Sequence, residues 1–222
     1  MSKKIQICTA LSTKLEEIEF DKLYHTTNGI TKATTSYQKQ LLLIKTPQLY
    51  FGADVVQCGE DIYVDLVFDQ TNKKNNEFLT LIRNIDYLAI SEIYENSHLW
   101  YPEQQCEVSL CQVEKDYIPS IKLSTVHRDR YSLKLKTKLS AVEFFDTENS
   151  NVPYQYLKEN LPTTCLLQLS DLYKEGSHSW IEWKIMQLKT QLPEKIPDGC
   201  QLLDIEDDDS SDNESIGDID FY

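Results

Sequence analysis

Residues Tyr131 to Ser140 read "YSLKLKTKLS". In an extended chain successive side chains fall on opposite faces. Tyr131, Leu133, Leu135 and Leu139 then share one face, and Lys134, Lys136 and Lys138 the other. The pattern predicts a strand that buries its leucines and presents a row of lysines outward. Such a row can follow a phosphodiester backbone, and Arg128 and Arg130 extend it in the loop just before. From Lys122 to Lys138 there are six Lys or Arg residues against one acid, Asp129. The same row also suits an edge strand protected by lysines from pairing with another chain. The strand alone leaves both readings open.

Outward from it, the chain alternates between two periods. "KKIQICTAL", Lys3 to Leu11, begins as a strand, and "YQKQLLLIKTPQLYFG", Tyr37 to Gly52, predicts one that breaks at Pro47 and resumes. In "DIYVDLVFD", Ile62, Val64, Leu66 and Phe68 share one face, and Tyr63, Asp65, Val67 and Asp69 the other. After the polar turn 71–76, apolar residues at Phe78, Leu81, Ile82, Ile85, Leu88, Ala89 and Ile93 change to helical spacing. That predicts one helix over residues 76–96, ending near Trp100-Tyr101-Pro102 and lying on a sheet through a single apolar face. "CEVSLCQVE" (106–114), the lysine strand and "AVEFFD" (141–146) return to strand character. "VPYQYLKENLP" reads as a short helix or turn. "TCLLQLSDLYKEG" and "SWIEWKIMQLK" read as a hairpin turning near Glu175-Gly176. The expected architecture is mainly β, a small barrel or sandwich with one helix inserted between its third and fourth strands.

Composition narrows the function. The 222 residues carry a net charge of −14, and nine acids lie between Asp204 and Tyr222 with no Lys or Arg, leaving −5 on the body. Any affinity for nucleic acid must therefore come from a local patch. The six cysteines form no CxxC, and the four histidines are scattered singly, so no zinc signature appears. The N-terminal "MSKKIQICTALS" does not read as a signal peptide, and the longest aliphatic run, "LLLI", is too short to span a membrane. An intracellular, reducing environment is expected. No P-loop, GxSxG, HxxxH or kinase-like motif is present, so catalysis is not expected, and no metal or cofactor is called for. Aromatic residues beside polar or basic ones include Tyr37, Tyr50, Tyr63, Trp100, Tyr101, Tyr117, Tyr131, Trp180 and Trp183. Single-strand binders combine such rings with a positive groove, each stacked base contributing about 1–3 kcal/mol. Core packing is the competing use of the same rings.

The order of these pieces resembles the single-stranded-DNA-binding proteins of large double-stranded DNA viruses, an OB-fold group related to a phage replication protein. The likeness spans roughly residues 37–190. It runs through "LLLIKTPQLYFG", "YVDLVF", and the helix "NIDYLAISEIYENSHLWY" with its Asp and its Asn-Ser…Trp-Tyr. It continues through "RDRYSLKLKTKL", "EFFDTENSNV" and "LLQLSDLYKEGSHSWIEWKIMQLK". The resemblance implies an OB-fold-like β-barrel over residues 1–192, followed by a linker and acidic tail over 193–222. It implies non-enzymatic, sequence-tolerant binding of single-stranded DNA in viral DNA replication, repair or recombination. Arg128, Arg130, Lys134, Lys136 and Lys138 would contact phosphates, and Tyr131, Trp100, Tyr101 and Trp183 would stack on bases. In the tail, Asp207, Asp208, Asp209, Asp218 and Asp220 would compete with DNA, and Phe221 and Tyr222 would anchor replication or repair proteins. The setting implied is the viral replication site in the host cell, cytoplasm or nucleus, with no membrane partner and with a homo-oligomer allowed. The alternative is a diverged virion or protein-interaction module that keeps the fold with little affinity for DNA.

Overall fold

A computed structural model describes residues 5–26, 29–102, 107–124, 127 and 129–192. The chain divides into two units, Met1–Leu192 and Pro193–Tyr222, and the second lies wholly outside the described residues. The strands are β1 (Ile5–Cys8), β2 (Ile18–Phe20), β3 (Tyr24–His25), β4 (Ile30–Tyr37), β5 (Leu41–Lys45), β6 (Leu49–Phe51), β7 (Val56–Cys58) and β8 (Asp61–Val67). Three helices follow, α1 (Lys73–Glu95), α2 (Ser97–Trp100) and α3 (Leu110–Asp116). Then come β9 (Ile121–Leu123), β10 (Tyr131–Lys138), β11 (Glu143–Phe145), β12 (Pro162–Glu175) and β13 (His178–Thr190). The fold is mainly β and OB-fold-like, built on one mixed sheet.

The long strand β12 organises that sheet. It runs antiparallel to β13 along nearly its whole length, with bulges between Leu166 and Leu167 and between Leu169 and Leu172. Its other edge meets β6 at Pro162, β5 at Leu166–Gln168 and β4 at Asp171–Glu175. The proline is tolerated because it stands first in the strand. The path continues from β6 to β8, β10 and β9. The hairpin between β12 and β13 turns at Gly176, whose φ of +58° is one that a residue with a Cβ adopts at a cost.

The predicted parity holds for the aliphatic faces of both strands, while the paired Val67 and Ser132, expected outward, are buried as well. Leu133 and Leu135 of β10, and Ile62, Val64, Leu66 and the adjoining Phe68 of β8, are all buried. Leu167, Leu169, Ile181, Trp183 and Ile185 join them from the hairpin, and Phe78, Ile82, Ile85, Ala89 and Ile93 from α1. The Phe68 and Phe78 rings stack with centroids 6.0 Å apart, fastening the start of α1 to the end of β8. α1 begins three residues earlier than periodicity suggested, because the Asn72 side chain accepts a hydrogen bond from the Lys74 amide at 2.9 Å.

Two expectations change. Residues 106–114 were expected to form a strand, but the segment turns helical at Leu110. The Ser109 hydroxyl caps this helix by accepting from the Gln112 amide, and Val113 is its buried contact. The inserted helix also follows β8 rather than a third strand. The strands passed over include β4, whose buried positions are Thr31, Ala33, Thr35, Ser36 and Tyr37 and show no hydropathic alternation.

Candidate nucleic-acid interface

Antiparallel register sets Lys134 opposite Asp65, Lys136 opposite Tyr63 and Lys138 opposite Asp61. The outward face of β8 thus lies directly beside the lysine row. Lys136 Nζ is 3.0 Å from Asp61 Oδ2, Lys138 Nζ is 3.4 Å from Glu60 Oε2, and Lys134 Nζ is 3.9 Å from Asp65 Oδ2. The lysine side chains stay reachable, 51%, 59% and 66% exposed in sequence order. Three cations therefore face three carboxylates, and the row carries no net charge of its own. The hydrogen bond that Lys136 donates to the Asp61 carboxylate, with that group's charge, raises the Lys136 ammonium above its usual value. Asp65 is shifted the unusual way for a paired acid. Burial lifts its carboxyl above the ordinary range, and the charge of Lys134 opposes this without cancelling it. The half-exposed Tyr63 ring lies under Lys136, with the ammonium 5.8 Å from its centroid.

β10 and β13 run side by side with no pairing between them among the described residues. A cleft of about 290 Å³ opens at this seam. Lys122, Lys134 and Lys136 line one side, and Trp180 and Glu182 the other. The buried Leu133, Leu135, Ile181 and Trp183 form its floor. Trp180 stacks on Tyr173, with centroids 5.6 Å apart and an interplanar angle of 16°. Glu182 pairs with Lys184 at 2.9 Å and accepts a long hydrogen bond from the Tyr173 hydroxyl at 3.4 Å.

A further wall of the cleft, residues 118–120, and Tyr117 just before it are held by Asp86 of α1. Its carboxylate accepts from the Tyr117 hydroxyl at 2.8 Å, the Ser120 amide at 2.9 Å and the Ser120 hydroxyl at 2.6 Å. The Trp183 indole N–H donates to the same Ser120 hydroxyl at 3.1 Å. Burial raises the Asp86 carboxyl above its ordinary range despite these donors. The Ile118 amide donates to the Ser179 carbonyl at 2.7 Å, stitching the wall to β13.

Not every residue expected at the site gathers here. Lys134, Lys136 and Trp183 meet at the cleft, and Lys138 continues the row beyond it. Trp183 is 4% exposed and Trp100 is 0% exposed, so both serve the core and offer no ring face to a base. Trp100 and the buried Tyr101 line a different cavity of about 490 Å³ with His25, Asp116 and Lys174. The Lys174 ammonium lies 4.4 Å above the Tyr101 ring. Tyr131 is half-buried, and the Arg83 guanidinium covers its ring at 4.3 Å. Arg130 is exposed in the loop before β10. Arg128 and the tail residues Asp207, Asp208, Asp209, Asp218, Asp220, Phe221 and Tyr222 lie outside the described residues. Lys122 and the three carboxylates join the site unannounced. The parity of "DIYVDLVFD" placed Asp65 and Tyr63 outward, but only the β8–β10 register sets them against the lysines.

No protein-family model matches the chain, and no curated protein matches it. Among solved structures, it is similar to gp2.5, a single-stranded DNA binding protein encoded by bacteriophage T7. The two share 10% identity over 72% of this chain and 97% of that one, with a TM-score of 0.50. It is also similar to the single-stranded DNA-binding protein from bacteriophage Enc34, at 8% identity over 85% of this chain and 98% of that one, with a TM-score of 0.43. At these identities the likeness to gp2.5 concerns the fold.

Proposed function

We propose that this chain binds single-stranded DNA without sequence specificity along the cleft between β10 and β13. The observation that carries the reading is the composition of that cleft: three lysines on one side, Trp180 on the other, and an apolar floor between. Ammonium groups read backbone charge and rings read base faces, and neither reads base edges. Tyr63 adds an accessible ring beside the row. The fold shared with gp2.5, itself described as a single-stranded DNA binding protein, supports the same reading.

On this reading the protein acts without catalysis in replication, repair or recombination of a large DNA virus, at the replication site in the host cell. The acidic tail competes with DNA for the lysines, and Phe221 and Tyr222 recruit a replication or repair protein. Fluorescence-anisotropy titration of an oligo-dT at two salt concentrations, with duplex competitor, tests the core of it. Single strand should bind in preference to duplex, and affinity should fall as salt rises. Equal affinity for both, or no binding at low salt, overturns it. One observation favours a second reading, an interaction module with little DNA affinity: every lysine of the β10 row already has a carboxylate partner. The same titration separates the two.

A further inference from the structure

We infer that Asp61 and Asp65, with Glu60, occupy the lysine row as internal stand-ins for phosphate, and that a nucleic-acid strand binds by displacing them. The inference rests on the proposed interface and names a regulation of it.

Stability does not account for the pairs. Exposed ion pairs contribute little, and the lysines here are all more than half exposed. Asp65 is worse placed than an ordinary surface acid. It is 13% exposed, it takes only weak support from the Ser132 hydroxyl, and its Oδ2 is 3.9 Å from Lys134. Register makes the arrangement a row rather than a chance contact. Lysines at every second residue of β10 meet acids at 61 and 65 of β8, with Glu60 closing the end.

The consequence is a threshold. A lone anion that releases one lysine gains one contact and loses one. A strand presenting successive phosphates replaces several carboxylates at once and adds ring contacts at Tyr63 and Trp180. The row thus discriminates against isolated phosphates and single carboxylates. The freed carboxylates take up cations as the phosphates shed theirs, so the salt dependence of the native protein is muted. Three phosphate contacts alone would give a log–log slope of about −2 for a single strand.

The test compares wild type, Asp61→Asn, Asp61→Asn/Asp65→Asn, and a charge-matched control, Glu16→Gln/Glu19→Gln, which neutralises two exposed acids in other elements. Binding of an oligo-dT is measured by anisotropy at two salt concentrations. The double variant should bind roughly tenfold more tightly than the control at low salt, with a steeper slope, and Asp61→Asn should fall between. Variants indistinguishable from the control, while wild type binds, overturn the inference alone. Tight binding by the double variant with none by wild type upholds it and overturns the proposed function of the native chain. No binding by any of the four folded proteins overturns both.

Discussion

Asp65 is held where burial disfavours its charge. Its folded pKa lies above the ordinary value of 3.8, chiefly through burial. The folded chain therefore holds this proton more tightly than the unfolded one. The stability so gained is full below the unfolded value and is lost as pH rises through the folded value. Asp65→Asn escapes that loss. Its melting temperature relative to wild type should climb as pH rises above the ordinary carboxylate value of 3.8, and a gap that narrows instead would contradict the assignment. Asp86 shows the opposite outcome of removing an acid, because three donors depend on it. Asp86→Ala would leave the Tyr117 hydroxyl and the Ser120 amide without their acceptor. It should cost about 2–4 kcal/mol in a denaturant titration, and Asp86→Asn less. In the sequence both residues stand out, one as a polar position in an alternating strand and one within the helix segment. Neither partner set is visible there, because the partners lie 31 and 34 residues away for Asp86 and across a strand register for Asp65.

The lysine strand and its neighbours were legible because period-two alternation reports burial directly. Ile62, Val64 and Leu66 alternate with polar or aromatic residues, and Leu133 and Leu135 with lysines, and all five of these aliphatics are buried. β4 is illegible for the converse reason, since three of its five buried positions are threonine or serine. α3 was misread because a capped two-turn helix with one buried residue resembles an alternating strand. The strand yields its own prediction. Lys134→Ala/Lys136→Ala/Lys138→Ala should leave the fold intact, since those side chains point outward. It should also leave Glu60, Asp61 and Asp65 without the row. Oligo-dT affinity should then fall alike for every sequence, with a shallower salt slope. Unchanged affinity in the folded variant would reduce the row to edge protection. At the hairpin, a Cβ on Gly176 would meet nothing within 4 Å, so Gly176→Ala is charged only for its backbone. It should cost about 1 kcal/mol in thermal or chemical unfolding.

For the whole chain, charge is distributed so that its most acidic part lies beyond residue 203. Deleting Asp204 to Tyr222 should raise oligo-dT affinity, most at low salt, where electrostatic competition is least screened. Removing Phe221 and Tyr222 alone should barely alter it, because the acids remain. A full deletion with unaltered affinity would contradict competition by the tail. The architecture of the barrel has a consequence of a different kind, in time rather than energy. β12 pairs with β4, β5 and β6, yet follows them by more than a hundred residues. During synthesis those early strands wait for their central partner until residues 162–175 have emerged. Such non-local pairing is slow to nucleate and leaves edges open meanwhile. A nascent chain arrested before Pro162 should remain protease-sensitive throughout, and one extended past Thr190 should acquire protection in a single step. The β12–β13 hairpin would thereby time the birth of the folded unit.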